Sequence, residues 1–465
     1  MKTKLNKFFL SLAMMLVFTS CDFLNLESPN DLDADTFFED AADAESALIG
    51  VYASMQTDAY YGGNYLLVSE PLSGNSVTGG FDNINLDEFG FQAVTPSNTI
   101  VEEMWYGMYN TIANANRLIE GLDQINDPAF DPTRRDEIEG QARTLRALAH
   151  FDLLRYFGQH WDLSSEYGIP VIDEVQEYGD VAPRNTVSET YAFITSELQT
   201  ALTLVNADER DPALVNAATV NALLARVYLY QKDYTNAIAS ANDVITDGAF
   251  ALVNAVDYAS IFNDRQTSES VFELAFDSQN RSRYNGLTYA RPEAVNTEVN
   301  FLASEALGTF FTSRAGDVRA AMVDVNPANN DTSIQPNGRT QKYRGEAVED
   351  NPAYILRLAE MYLILAEAKG RVNGLADLNT LRTQRGLTAL APGDVTTDAD
   401  YEAAVLDEIR AEFNFEGHYF FALARVEQIF TPGGILDIDA YKAILPIPVR
   451  EITATQGVVE QNPEY

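Results

Sequence analysis

The sequence predicts a mainly α-helical protein of paired helices, with a large irregular half and a few short strands. Three observations predict this. Apolar residues recur at three- and four-residue intervals in nine stretches, the pattern of helices that bury one face. Two of those stretches share a spacing, Leu224-Ala225-x-x-Tyr228 and Leu358-Ala359-x-x-Tyr362. Two long segments, 57–99 and 263–350, carry Gly, Asn, Asp and Tyr in turn-forming mixtures and keep no period.

The chain opens with Lys2, Lys4 and Lys7, an apolar run from Phe8 to Phe18, and then Thr19-Ser20-Cys21. A positive flank, a short apolar core and small residues before a cleavage point make a secretory signal peptide. The run of about 11 residues is too short to span a bilayer as a helix, which takes roughly 20. Cys21 is the only cysteine in 465 residues, and it stands where an exported bacterial chain accepts lipid. Phe18 occupies the place where that motif usually has leucine. An ordinary signal followed by a chance cysteine is the alternative. With no second cysteine, an intrachain disulfide is excluded. We therefore expect residues 1–20 to be removed, Cys21 to be lipidated, 21–40 to form a tether, and 41–465 to form one domain. Asp35 or Thr36 is the expected cap of the first helix.

Helices are expected at 41–56, 101–122, 134–157, 186–205, 217–230, 233–246, 353–370, 375–385 and 399–416. Short apolar runs at 271–276 and near 443–449 read as strands. Leu224-Ala225-x-x-Tyr228 followed by Ala237 has the spacing of a tetratricopeptide repeat, in which a small residue lets two helices approach and an aromatic fills the gap beside it. Leu358-Ala359-x-x-Tyr362 with Leu375 to Leu381 repeats the pattern. Ordinary amphipathic hairpins are the alternative, but such repeats must stack to bury their faces, and this chain has several helical pairs.

Composition narrows the function. Residues 1–20 hold three lysines, so 31 basic residues become 28 against 69 acidic ones, a mature net charge of about −41. Such a surface repels phosphate backbones and excludes nucleic acid as a natural partner. It also offers no basic patch for anionic lipid, which leaves the lipid on Cys21 as the anchor. Hydrophobic residues make up 46%, enough for a large core. His150, His160 and His418 are far apart in sequence, so no histidine metal spacing can be read.

Seven motifs in order carry a family resemblance. They are QARTLRALAHFDLLRYFG at 141–158; Gly168-Ile169-Pro170 with Pro183-Arg184-Asn185-Thr186-Val187; ATVNALLARVYLYQKDYTNA at 218–237; and Glu269 to Leu274. The rest are RLAEMYLILAEA at 357–368 with LNTLRTQRGL at 378–387; EIRAEFNFEGHYFFALAR at 408–425; and Leu445-Pro446-Ile447-Pro448 with Gln461-Asn462-Pro463. Together they resemble the SusD/RagB outer-membrane nutrient-binding lipoproteins almost end to end. The resemblance implies tetratricopeptide-like helix pairs in a right-handed superhelical scaffold, with an irregular ligand-carrying half. It implies a surface-exposed, lipid-anchored outer-membrane protein that captures oligo- or polysaccharide without hydrolysis. It also implies a SusC-like TonB-dependent transporter as partner, on which this chain forms a lid. The 408–425 segment departs from the family pattern. His418-Tyr419 and Ala422 replace a second basic residue and an aspartate, a change expected to alter local ion pairs and not ligand choice.

Sugar recognition needs flat aromatic faces for pyranose C–H surfaces and planar polar groups for hydroxyl pairs. The loop 57–91 has that content in Tyr60, Tyr61, Tyr65, Asn75, Phe81, Asp82, Asn83 and Asn85. The resemblance places a ligand-bearing segment there, just ahead of the helix containing Trp105. A second cluster, Arg281, Arg283, Tyr284 and Tyr289, lies in the 263–350 insertion. Trp105, spaced with Met108 and Ile112, reads as core. Gln159-His160-Trp161-Asp162-Leu163 reads as scaffold. Glu102-Glu103 and Asp136-Glu137 read as solvated charge, and no carboxylate pair is nominated for glycoside hydrolysis, so no catalytic residue is expected. Asp31-x-Asp33-x-Asp35 lacks the glycine and terminal glutamate of a calcium loop, and neither metal nor cofactor is expected. The acidic field mildly favours a neutral glycan. Peptide or other nutrient capture by the same lid, or a protein-only surface scaffold, are the alternatives.

Overall fold

The computed structural model describes residues 37–79, 83–177, 179–288, 300–324, 338–343, 351–429, 436 and 438–465. The expected signal peptide over residues 1–20, Cys21, the expected caps Asp35 and Thr36, and the site candidates Phe81, Asp82 and Tyr289 lie outside the described residues.

The first long helix, α1 (Ala41–Met55), starts at Asp40. Its carboxylate accepts from the amides of Ala42 and Asp43 while the Asp43 side chain reaches back, a reciprocal cap for orphan N–H groups. After α2 (Ile84–Gly90) come α3 (Thr99–Leu122) and α4 (Pro132–Phe157), begun by Asn98 and by Asp131 with Pro132 at the first turn. Next are α5 (Val187–Leu204), α6 (Ala217–Tyr230) and α7 (Tyr234–Thr246), capped by Thr186, Asn216 and Asp233. The irregular half adds α8 (Glu305–Thr312). Then follow α9 (Leu358–Gln384), α10 (Asp398–Phe413) and α11 (Tyr419–Arg425). Helices close in this order pack as neighbours: α3 on α4, α4 on α5, α6 on α7, α9 on α10, and, across the irregular half, α7 on α9.

The two repeat signatures become helix pairs. Ala225 and Ala237 are fully buried where α6 meets α7. Gly370 (φ 68, ψ 178) breaks α9 into two limbs, which are the separate helices expected on either side of it. At Gly374 a Cβ would fall 2.1 Å from the Ala366 carbonyl, so only glycine lets the second limb lie against the first. The fold is mainly helical and tetratricopeptide-like.

The strands are β1 (Ser76–Thr78), β2 (Ser270–Leu274), β3 (Phe301–Ala303), β4 (Val323–Asp324), β5 (Arg339–Thr340) and β6 (Ala353–Arg357). They pair antiparallel as β1 with β3, β2 with β6, and β4 with β5. Two expectations are corrected here. Residues 353–357 are strand and not helix. Their buried Ala-Tyr-Ile-Leu-Arg run suits either period, and a partner about 80 residues upstream, β2, decides it. Residues 443–449 form no strand: after a 3-10 turn at Ala440–Ala443, Pro446 and Pro448 lack the N–H groups a ladder needs.

Helix α4 is buried on every side from Thr144 to Phe157, so it runs through the middle of the molecule and its polar groups need partners. His150 finds two, Nδ1 to the Arg146 carbonyl at 2.8 Å and Nε2 accepting from the Ile172 amide at 3.1 Å. Burial lowers its pKa to about 3, which keeps the ring neutral. Trp105 is core, 1% exposed, with its ring edge-on to Phe157. His160 and Trp161 are buried too, which fits the scaffold reading of that loop.

Candidate functional site

The exposed face at the end of α1 is built from two loops distant in sequence. Backbone bonds fold residues 55–64 into a tight knot: Tyr61 N–H to the Met55 carbonyl at 3.0 Å, Gly62 N–H to Thr57 at 2.9 Å, and Asn64 N–H to Asp58 at 2.9 Å. A Cβ on Gly62 would sit 2.4 Å from the Gln56 carbonyl, so the knot closes only with glycine there. The second loop is stitched on by the Arg283 amide, which donates to the Gly62 carbonyl at 2.8 Å. Asn280 donates to the Gln56 side chain at 2.5 Å, and Gln56 donates to the Ala275 carbonyl at 2.6 Å. Above them Arg283 pairs with Asp58 at 2.8 Å, both more than half exposed (57% and 53%). The result is a solvent-facing set of planar hydrogen-bonding groups with compensated charge.

Beneath this face lies the cluster that holds it. Tyr60 and Tyr61 donate to one oxygen of the Asp152 carboxylate on α4, at 2.6 and 2.7 Å. Tyr65 donates to the other, which Arg155 also reaches at 2.6 Å. The three tyrosine rings pack at 4.5–5.3 Å from one another. Burial first, and the adjacent Asp152 charge second, push the Tyr60 and Tyr61 phenols well above their ordinary range, so they stay donors.

The sequence-predicted residues therefore divide. Tyr60, Tyr61 and Tyr65 are corrected from ligand platforms to foundations: at no more than 1% exposure, their ring faces are covered by one another and by the core. Asn75 is fully buried, donating to Glu70 at 3.1 Å and accepting from Arg410 at 2.9 Å, so it is a joint and not a contact. Tyr284 is fully buried as well, stacked on Tyr343 at 4.6 Å with its hydroxyl on the Tyr61 carbonyl. Asn83 is exposed and caps α2. Arg281 and Arg283 are exposed, and Arg283 sits in the face just described. No residue count could have separated these tyrosines from platforms, because phenols suit both roles.

Sequence reasoning missed Phe91. It is 78% exposed after α2, near Ile84 at 72% and Val77 at 50%. Hydrogen bonds link this edge to the Arg283 loop: the Gly79 amide donates to Asn300, and the Asn300 amide to Leu287, each at 2.9 Å. Leu287 in turn lies against Gly63. Phe91 follows α2, which packs on the Ser76–Thr78 strand, and the backbone just past that strand is bonded through Asn300 to Leu287 of the Arg283 loop.

The motif at 408–425 has a different role. Glu408, Glu412 and Glu416 are buried among Arg314, Arg319, Lys342, Arg357, Arg382 and Arg385. Glu412 takes Arg357 at 2.8 Å and Arg385 at 2.9 Å. Burial raises its pKa, but Arg385 and Arg357 outweigh that and hold it well below the carboxylate range. Glu269 of the central motif joins the network through Arg385 at 2.7 Å. His418 stacks on Phe413 at 4.3 Å in place of an ion pair. These motif residues are structural.

Among the described residues no group of three or more His, Cys, Asp or Glu could hold a metal. Burial raises the Glu70 carboxyl to about 7, toward the protonation an acid catalyst needs. It is 1% exposed and accepts from Asn75 and the Gly417 amide, so it meets no substrate.

The family described as starch-binding, associating with the outer membrane, matches residues 22–229, and the SusD family matches 320–465. The SusD-like protein P2 of Formosa agariphila is 25% identical over 98% of each chain. A SusD superfamily protein from Bacteroides thetaiotaomicron superposes with TM-score 0.80 at 24% identity, covering 91% of this chain and 99% of that one. Surface glycan-binding protein A of the same organism, solved with laminarihexaose, superposes with TM-score 0.73 at 19% identity over 91% and 99%. With the seven motifs found in order and the helical scaffold they build, these matches show that the chain belongs to the SusD/RagB family.

Proposed function

We propose that this protein is a surface lipoprotein of the outer membrane that binds oligo- or polysaccharide and passes it, unhydrolysed, to a SusC-like TonB-dependent transporter. Cys21 carries the acyl anchor, and residues 41–465 act as one folded unit whose two insertions grip the ligand. The observation that carries this reading is the polar face of Gln56, Asp58, Asn280 and Arg283, held on the Asp152–tyrosine base; the exposed Phe91 ring is the aromatic candidate. Planar amide, carboxylate and guanidinium groups suit paired sugar hydroxyls, and an open aromatic face suits a pyranose ring. The relative solved with laminarihexaose supports a glycan as the ligand. The compensated Arg283–Asp58 pair on a strongly acidic protein favours a neutral one.

Calorimetry of the mature chain against laminarin and a panel of other neutral and acidic polysaccharides tests it. Binding of a neutral glycan, weakened about 10-fold (roughly 1.4 kcal/mol) by Arg283→Ala or Phe91→Ala, is the expected result. Silence across the panel would turn the reading to peptide capture or a protein-only scaffold, and release of reducing ends would overturn it.

A further inference from the structure

A cleft of about 660 Å³ opens on the helical half, where the start of α7, the break in α9, α10 and the end of α11 meet. It shares no residue with the polar face of Gln56, Asp58, Asn280 and Arg283. Small-ligand pockets run to roughly 300–1,000 Å³, so the space suits one. The break in α9 makes it. At Gly370 (φ 68, ψ 178) the chain leaves the helical path in a conformation that only glycine adopts freely. A Cβ built there would meet nothing within 4 Å, so the space at the break is open. The buried Tyr401 donates to the Ala366 carbonyl at 2.9 Å and holds the end of the first limb in place.

The lining has the chemistry of a sugar site. Tyr234, the first residue of α7, lines the cleft and keeps 43% of its surface exposed. Burial and then the nearby Glu367 push its phenol up, with Arg425 opposing, so the hydroxyl stays a donor. Arg425 grips Glu367 with both terminal nitrogens, one of them at 2.8 Å. The Arg371 Nε meets Asp398 at 2.9 Å, and Gln428 donates to Glu402 at 3.1 Å. These bonds fix planar polar groups in place before any ligand arrives. Four basic and four acidic residues line the cleft, so it is locally neutral on a chain of net charge −38. Two corners add polar reach. Lys232 (φ 61) after α6 and Glu427 (φ 62) after α11 hold left-handed positions where a helix ordinarily ends in glycine, and both are exposed at the rim.

We propose that this cleft is a second carbohydrate site, taking a short stretch of neutral glycan. The Tyr234 ring lies under a pyranose C–H face, and the Glu367–Arg425 and Arg371–Asp398 pairs take its hydroxyls. The proposal rests on the glycan reading above and adds a second point of attachment, through which one long polysaccharide is held by avidity.

Calorimetry of the mature chain with laminarihexaose, and with maltohexaose as a second neutral probe, counts the sites. Two oligosaccharides should bind per chain. Tyr234→Ala should reduce the count to one, and so should Asn373→Trp, which fills the cleft from an exposed lining position. An unchanged circular dichroism spectrum checks that each variant is folded. Arg283→Ala should leave the Tyr234-dependent site in place. A single site that survives both Tyr234→Ala and Asn373→Trp overturns this proposal and leaves the earlier reading standing. A single site that both variants abolish and Arg283→Ala spares keeps this cleft and removes the Arg283 face. Silence with both probes overturns this proposal, and the wider polysaccharide panel then decides the earlier reading.

Discussion

Two buried polar centres hold this molecule, and they are made of different materials. The one under the polar face of Gln56, Asp58, Asn280 and Arg283 has one carboxylate, Asp152, receiving three phenols and one guanidinium. The one around the 408–425 motif interleaves Glu269, Glu408, Glu412 and Glu416 with arginines and Lys342 that arrive from β6, the 3-10 turn at Val318–Met322, α9 and the loop at 342. Burying charges is costly, and a buried ion pair rarely exceeds an apolar replacement in stability. What such a network supplies here is register: each guanidinium accepts one geometry, so β6, α9 and α10 meet in one arrangement. The tyrosine centre buries far less charge and gains from ring packing, which suits a loop that must be rigid while its outer surface faces solvent. Glu70 is a joint between its own segment and the 408–425 motif, accepting from the Asn75 amide group and from the Gly417 backbone N–H.

The difference can be broken from either side. Glu412→Ala should have the largest effect, a loss of about 3–5 kcal/mol in urea unfolding or failure to fold, because it removes the carboxylate that Arg319, Arg357 and Arg385 share and leaves their buried charge under-compensated. An unchanged midpoint would show that the network contributes nothing. The joint should be next. Glu70 has a folded pKa of about 7 against an ordinary 4.5, so the fold binds its proton more tightly than the unfolded chain does. Its contribution is fully present below about pH 4.5 and is lost as pH rises through about 7, a swing of about 3 kcal/mol. Glu70→Gln should flatten that window in pH-dependent thermal unfolding, and a slope that persists would sink the assignment.

Asp152→Asn should cost about 2–3 kcal/mol, since hydrogen bonds to a charged acceptor are lost while Arg155 stays buried. Unlike Glu412→Ala, it should also speed proteolysis at 57–63 and weaken glycan binding; stability loss with a tight, ligand-competent loop would erase the contrast between the centres. Tyr65→Phe should remove about 1 kcal/mol by deleting one hydroxyl while keeping the ring. Arg283→Ala should be smallest in stability, under about 1 kcal/mol for a pair this exposed. Its effect should fall on calorimetric affinity alone, and a large drop in melting temperature would make Arg283 structural.

Much of the scaffold was readable before any coordinates. The apolar spacing of α1, α3, α4, α5, α6, α7 and α10 placed those helices within a few residues of their observed ends, because helix period and end signals are local features of the sequence. The error at 353–357 had a local cause: five buried residues carry no period that separates strand from helix, and β2 settles the matter from far away. The site was less readable. Arg283 and Asn83 are exposed as a ligand contact requires, whereas Tyr60, Tyr61, Tyr65, Asn75 and Tyr284 are interior.

What the sequence determined by itself was the acidic composition, the helix pairs and the family, since these are written in the residues themselves and in motifs close together along the chain. Which tyrosines face solvent was decided only in three dimensions. A phenol is equally fit to carry a sugar or to cap a buried carboxylate, and the choice fell to Asp152, some 90 residues downstream, which arrives beneath the loop only when α4 packs against it.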